Sequence, residues 1–394
     1  MERYKVLEAF IGERKVGTLA LYKGRLVAFE YNEGWLREGF SISPFSLPLQ
    51  KKVFIPKPDP FDGLFGAFAD SLPDGWGRLL VDRMLNREHV DPHEVDMLNR
   101  LAIVGDSGMG ALTYRPVHQW KTEQAQIDYD RMAEECRKVL ESEYSNDLDM
   151  LFRLGGSSGG ARPKILTKID GEDWIVKFPA SIDRRDAGLI EYRYCECARK
   201  CGLEVAETRL FPSARCEGYF GTKRFDRIKR PDGTIRRVHM LSVSALLETS
   251  HRIPNLDYRT LMTLTLELTK DYSEVEKMYR LMCFNVYAHN RDDHSKNFTF
   301  LYDEDRQAWK LSPAYDLTYS NSLGGEHATS VNGNGRNPSR KDILTIAEHI
   351  GIAKTKAKQI ADQVEAAVAD VLGNVSQYRC CLLYTSPSPR DGAT

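Results

Sequence analysis

Asp292 stands five residues before Asn297 in the run His289-Asn290-Arg291-Asp292-Asp293-His294-Ser295-Lys296-Asn297. The run places a carboxylate ahead of a carboxamide, with an imidazole and an ammonium between them. Phosphoryl transfer uses such a pairing. The carboxylate orients or deprotonates the attacking hydroxyl, and the carboxamide helps hold a metal on the triphosphate. A second metal-binding carboxylate must then follow on a short hairpin, and Asp316 in Pro313-Ala314-Tyr315-Asp316-Leu317 is placed for it. Asp292 is the expected base. Asp293 is its rival, one residue short of the interval. Lys296 would stabilise charge on the transferred group. His294 would fix the loop by hydrogen bonds or join the chemistry. The bland account is a polar cap after a helix, and for Asp316 a helix N-cap. Asp, His, Lys and Asn together exceed what capping requires.

A nucleotide needs two further groups. Gly155-Gly156-Ser157-Ser158-Gly159-Gly160 offers backbone N–H groups without Cβ obstruction. Alone it reads more readily as a linker, and it lacks the Gly-Lys-Ser/Thr ending of a Walker loop. Trp174-Ile175-Val176-Lys177-Phe178 sets a cation in an apolar run, where charge is costly unless paired. Lys177 would grip α/β-phosphates with Glu191, on the next helix, as its partner; otherwise it is an edge lysine that snorkels. The protein-kinase catalytic loop keeps the same interval between its Asp and Asn. Loop, strand lysine, catalytic loop and Asp316 also come in kinase order. Lipid and small-molecule kinases use Asp-x-His-x-x-Asn as well, so the acceptor stays open.

Elements must position these groups. Alternation over 3–31 predicts an antiparallel meander. Helices are expected over 61–87, broken at Pro73-Asp74-Gly75, and over 91–101, with a strand over 109–114. A polar linker spans 117–126 and a helix follows over 127–140. Beyond the Gly/Ser loop come strands at 164–169 and 174–179, a helix over 187–201, and strands at 205–211 and 219–225. Pro231-Asp232-Gly233 marks a hairpin in a basic segment. A helix over 275–289 delivers the chain into the catalytic run, a hairpin (298–302 and 308–311) follows, and helices close the chain at 340–349 and 353–372. A strand-rich half precedes a helical half. Residues 375–394 are set outside the fold; from Cys380 they are Ser/Pro-rich and read as foreign or disordered.

Composition is that of a soluble globular chain, 42% apolar and 28% charged over 394 residues. A formal net charge of −1 supplies no global field for nucleic acid or an acidic surface. No apolar run approaches a membrane span, and the N-terminus has no signal-peptide core, so a cytoplasmic location and no membrane are expected. The eight cysteines lack metal-type spacing and read as buried reduced thiols. The basic segment 223–237 is either a solvated hairpin or a surface that approaches phosphate backbone. The second option would suit a co-repressor with little turnover.

The chain resembles the HipA family of serine/threonine kinases, the toxins of HipA–HipB-type toxin–antitoxin modules. The resemblance runs from about residue 3 to 372. It is carried by 42–49 (ISPFSLPL), Leu72-Pro73-Asp74-Gly75 and 105–112 (GDSGMGAL) in the first part. In the second part it is carried by 157–164 (SSGGARPK), Lys177-Phe178-Pro179, Arg224-Phe225-Asp226-Arg227, the Asp292 to Asn297 loop and Asp316. It implies an α+β, two-lobed protein-kinase-like fold with an N-terminal α+β subdomain (1–120), a kinase N-lobe (121–235) and a mainly helical C-lobe (236–374). It implies ATP and Mg²⁺, with Asp292 as base assisted by Lys296 and His294, and Asn297 and Asp316 as metal ligands. ATP contacts would come from Ser157, Ser158, Gly159, Gly160, Lys177, Glu191, Lys223 and Phe225. Ser157 matches the loop serine whose autophosphorylation silences family members, with Ser158 beside it. The implied partners are a HipB-like helix-turn-helix antitoxin, DNA only indirectly through it, and a protein substrate such as an aminoacyl-tRNA synthetase. This chain departs from the family pattern at Thr222-Lys223, near the adenine hinge, and at Arg291 and Asp293, where Thr and a small residue are common.

Overall fold

The alternating N-terminal segment forms strands β1 (Val6–Ile11), β2 (Arg14–Tyr22) and β3 (Leu26–Tyr31), paired antiparallel in sequence order. The computed structural model describes residues 2–118, 127–180, 183–321 and 323–378. Most of the expected linker and all of 380–394 lie outside them. Strands β4 (Val53–Phe54) and β5 (Leu112–Arg115) complete a sheet of order β4-β3-β2-β1-β5. Leu7, Ala9, Leu19 and Phe29 are fully buried on its inner face, as a period of two requires.

The expected 61–87 helix splits, as Pro73-Asp74-Gly75 dictates, into short Gly66–Ala69 and longer Gly75–Arg87 helices. Gly75 has φ +45°, a conformation that costs glycine least. The next helix begins later than the pattern suggests, at Met97–Val104, because the Asp96 side chain caps it by accepting from the Asn99 N–H.

The second part opens with the Tyr129–Leu140 helix and an unanticipated Leu148–Gly155 helix that runs straight into the Gly/Ser loop. A four-stranded antiparallel sheet follows: β6 (Lys164–Ile169), β7 (Glu172–Lys177), β8 (Thr208–Phe211) and β9 (Tyr219–Lys223), in the order β6-β7-β9-β8. The Ala187–Lys200 helix crosses between β7 and β8. The remainder is mainly helical, built on Tyr258–Thr269, Tyr272–Tyr287, Arg340–Ile350 and Lys354–Leu372. A small sheet of Met240–Ser242, Thr299–Asp303 and Ala308–Leu311 backs the catalytic run. This is a two-lobed α+β kinase-like fold.

Among the described residues two large cores hold it together, beside a small cluster of Val81, Leu85, Val95 and Ile103. One is continuous from the N-terminal sheet (Leu19, Phe29, Phe68) to the C-lobe helices (Tyr279, Met282, Phe284). The other lies under the β6–β9 sheet and takes Trp76 and Leu80 from the Gly75–Arg87 helix. The N-terminal unit thus contributes to both cores. The first residues of the expected tail also belong to the fold: Val375–Tyr378 form a 3-10 turn, and Tyr378 packs edge-on against Tyr194 at 5.8 Å.

Candidate active site

Side-chain alternation decides what β7 and β9 offer the cleft. Ile175 pairs with Thr222, and Val176 with Gly221, so Ile175, Lys177, Phe220 and Thr222 share one face. Trp174, Val176 and Lys223 share the other. Lys177 lies over the Phe220 ring. Its Nζ donates to Glu191 Oε1 at 2.5 Å and to Asp316 Oδ1 at 2.5 Å. Lys223 is a correction. Its side chain leaves the cleft face and pairs with Glu172, so no side-chain contact with a nucleotide follows.

Burial opposes the charge on Lys177, and Asp316 and Glu191 more than offset it, leaving its pKa above the ordinary lysine value. Lys177 in turn holds the Asp316 carboxyl well below the usual carboxylate range. Asp316 is presented at φ +56°, uncommon for a non-glycine residue. No helix follows it, so the N-cap reading fails. The segment before it is pinned to the turn between the Ala187–Lys200 helix and β8 by Ala314 N–H donating to Glu204 O at 2.7 Å. Tyr315 packs at a tilt on Phe225, 5.5 Å between ring centres, which sets Phe225 against the residue before Asp316.

The catalytic run is held from below. The Tyr272–Tyr287 helix ends, the chain turns through His289 at φ +52°, and Asn290 Nδ2 donates to Asn285 Oδ1 at 2.9 Å. Asp293 is buried. It accepts from Tyr258 Oη at 2.9 Å and the Thr329 N–H at 3.2 Å, and pairs with His327 Nδ1 at 2.9 Å. Three partners and no solvent rule it out as the base. Asp292 points into the open cleft, its side chain 57% exposed. Crowding by protein still raises its carboxyl pKa; His294 opposes the rise, while the charges of Asp316 and Asp293 add to it. A raised carboxyl makes a stronger proton acceptor than an ordinary aspartate.

His294 caps the Ser295–Asn297 turn, its Nδ1 accepting from the Lys296 N–H at 3.2 Å; its Nε2 stands 3.9 Å from Asp292. The ring braces the loop, so its expected chemical part gives way to a positioning one. Asn297 Nδ2 donates to the Asp292 carbonyl at 2.7 Å, which leaves Oδ1 as a ligand. Asp316 is 40% exposed, with one oxygen on Lys177 and the other open. Two oxygen donors, completed by phosphate and water, are what Mg²⁺ takes. The residues fit that ion.

In the Gly/Ser loop, Ser158 is spent: its hydroxyl donates to Gly155 O at 2.6 Å and the residue is 1% exposed. Ser157 is buried too, at 7%. Gly159 and Gly160 form the exposed tip. Three groups were missed by the reading of spacing. Lys164, on β6, reaches back to Gly159 O at 2.5 Å. Arg162 pairs with Asp183 at 3.2 Å and faces Glu191 at 3.9 Å. Asp74, from the N-terminal unit, meets Lys296 at 2.6 Å. The first two lie inside the 157–164 signature, where they could have been singled out. Asp74 also lies inside a signature, Leu72-Pro73-Asp74-Gly75, but it stands 222 residues from its partner, so the pairing itself left no signal in the spacing.

The basic 223–237 segment folds as the hairpin Arg227–Lys229 and Ile235–Arg237. Arg224, Arg227 and Arg237 turn inward onto Asp226 and the Gly108 and Gly110 carbonyls. Among the described residues all six cysteines are free thiols, no cluster of metal-ligating side chains occurs, and no helix is long and apolar enough to cross a membrane.

A cleft between a small sheet and a helical lobe, holding a Lys–Glu pair opposite an Asp–Asn loop and a further Asp, is that of a kinase-like protein. The HipA N-terminal domain model matches residues 7–115 and the HipA-like C-terminal domain model matches residues 156–372, so the chain belongs to the HipA family. It is 26% identical over 350 residues to Sinorhizobium fredii Y4mE, named provisionally as a kinase, covering 79% of this chain and 77% of that protein. Y4dM of the same organism, named likewise, is 26% identical over 335 residues, covering 80% and 78%. Among solved structures the chain is similar to one from the Shewanella oneidensis complex of HipA, HipB and operator DNA. The TM-score is 0.70 at 18% identity, covering 96% of this chain and 92% of that one. That likeness is one of fold.

Proposed function

We propose that this HipA-like kinase transfers the γ-phosphoryl group of ATP–Mg²⁺ to protein serine or threonine, as the toxin of a type II module. Asp292 takes the proton of the acceptor hydroxyl as the new O–P bond forms and ADP leaves. Asn297 and Asp316 hold Mg²⁺, which offsets charge on the phosphates. Lys177, fixed by Glu191, meets the α/β-phosphates, and the Gly159 N–H lines the phosphate path, while the Gly160 N–H is held by Asp74. The observation that carries the reading is Lys177 bridging Glu191 and Asp316, with Asp292 open to the same cleft.

Ser157 is the proposed self-modification site, since the Ser158 hydroxyl is already engaged. Its burial requires the loop to leave its seat first, and the added phosphate would then bar its return. A HipB-like antitoxin is the proposed partner, in line with the composition of the Shewanella complex, and DNA is met through it. The proposed target is a translation-related protein such as an aminoacyl-tRNA synthetase, in the cytoplasm.

Intact mass before and after incubation with ATP–Mg²⁺ tests the reading. One added phosphoryl group, mapped to Ser157, is expected. Asp292→Asn should lower transfer on the order of 10²–10⁴-fold with the fold retained. Label that appears only on a small molecule, or full transfer by the variant, overturns it.

A further inference from the structure

Asp74 sits at the N-cap position of the Gly75–Arg87 helix, yet its side chain makes no capping hydrogen bond. An Asp there ordinarily accepts from its own helix. This one turns away. Its Oδ1 accepts from the Gly160 N–H, and its Oδ2 takes Lys296 Nζ at 2.6 Å. Both partners belong to the phosphate-handling machinery, one on the Gly/Ser loop and one on the catalytic loop. Only about a fifth of either charged side chain is exposed, 21% for Asp74 and 22% for Lys296.

The neighbouring backbone makes the same junction. Trp76 N–H donates to Gly160 O at 3.0 Å, and Trp76 Nε1 donates to Lys164 O at 3.0 Å. A Cβ on Gly75 would lie 2.5 Å from Gly160 O, and one on Gly77 would lie 2.2 Å from Ser158 O. The start of this helix is therefore seated directly on the loop.

We infer that Asp74 is a positioning residue for phosphoryl transfer, supplied to the kinase cleft by the N-terminal unit. A lysine side chain and a glycine-rich loop each have many conformations. One carboxylate between them holds the ammonium and the N–H a fixed distance apart, across the path of the phosphates. The inference rests on the phosphotransfer reading of the cleft, but the anchoring can be measured without turnover.

Two experiments test it. Hydrogen exchange compares the full-length chain with Asp74→Asn and Asp74→Ala. Peptides covering 155–164 and 289–297 should exchange faster in the alanine variant, with the rest of the chain unchanged. Unchanged exchange there overturns the anchor, whether or not the chain transfers phosphate. The kinetic arm separates charge from acceptor. Asp74→Asn keeps an acceptor for Gly160 but frees Lys296, so kcat should fall roughly 10- to 100-fold while KM for ATP stays within about twofold. Asp74→Ala removes both contacts, and KM should rise as well. Placed in a Lys296→Met background, Asp74→Asn should cost nothing further, because its effect runs through that ammonium. Unchanged kcat in Asp74→Asn, or losses that multiply in the double variant, overturn the inference. Faster exchange in Asp74→Ala, together with a wild-type chain that transfers no phosphate, would keep the anchor and remove the kinase reading instead.

Discussion

Lys164 reaches from β6 to Gly159 O at 2.5 Å, with 8% of its surface exposed. Burial and the nearby charge of Lys177 bring its pKa down to about 8, although Asp316 and Asp74 pull the other way. Its ammonium is therefore present below that pH and lost above it, along with one donor to the loop carbonyl. The free enzyme should lose affinity for a nucleotide over the same range. The expected outcome is a fall in kcat/KM for ATP as pH rises through about 8. The limb should be weaker in kcat, because bound phosphates favour the protonated lysine. Lys164→Arg keeps its charge at alkaline pH and should move the limb upward. A kcat/KM profile that is flat across this range, or one that Lys164→Arg leaves unmoved, removes the ammonium from nucleotide binding. Lys177 cannot mimic the effect, since its own pKa is shifted upward.

The Gly75–Arg87 helix and the Gly/Ser loop fit because the helix opens with Gly75-Trp76-Gly77. A methyl group on Gly77 meets Ser158 O, Pro73 Cβ and Gly155 O, the farthest of them only 3.1 Å away. Backbone cannot yield as a side-chain tip can, so Gly77→Ala should push the loop off the helix. It should cost about 1–3 kcal/mol of stability and raise KM for ATP, read by chemical denaturation and steady-state kinetics. Wild-type values for both would show that the loop has room to move. Sequence pattern reaches this junction only in part. Period and turn residues predict the long helix, the break before it and both strands that follow the loop. They do not predict the Leu148–Gly155 helix. With eight residues it is too short to be stable by propensity. It forms because Met150 and Leu151 pack with Trp76 and Leu80. Met240–Ser242 is likewise a strand only because Thr299–Asp303 pairs with it. The candidate catalytic pair was legible because Asp292 and Asn297 are local neighbours. Asp74 was not, because its meaning depends on tertiary contact with Lys296. The direction of the Lys223 side chain was not legible because alternation had to be counted against the register of β7.

Across the whole molecule the N-terminal unit and the kinase lobes share a core, and one buried carboxylate staples their polar edges. Asp226, with no exposed surface, accepts from Arg224 Nη2, Arg227 Nη1 and the Gly110 N–H, each at 2.7 Å. Arg227 and Arg237 go on to bind the Gly108 and Gly110 carbonyls. Burial opposes the charge on Asp226, and Arg224 and Arg227 more than offset it, so its carboxyl stays well below the usual range. A carboxyl lowered on folding contributes stability above its unfolded value, about 3.9, and loses it as pH falls through the folded one. Asp226→Ala removes the acceptor and leaves two guanidiniums buried without their counter-ion. Breaking such a pair from one side costs on the order of 3–5 kcal/mol. The loss falls at the junction rather than inside either core, so it should weaken the coupling between the parts as well as overall stability. The wild-type chain should unfold in urea as one transition by intrinsic fluorescence and far-UV circular dichroism. Asp226→Ala should separate the two signals, with proteolysis entering first around residues 105–110. Coincident transitions at the wild-type midpoint would mean that the shared apolar core and the remaining polar contacts, such as Asp70 with Ser242, join the N-terminal unit to the kinase without this staple, and that Asp74 reaches the cleft without its help.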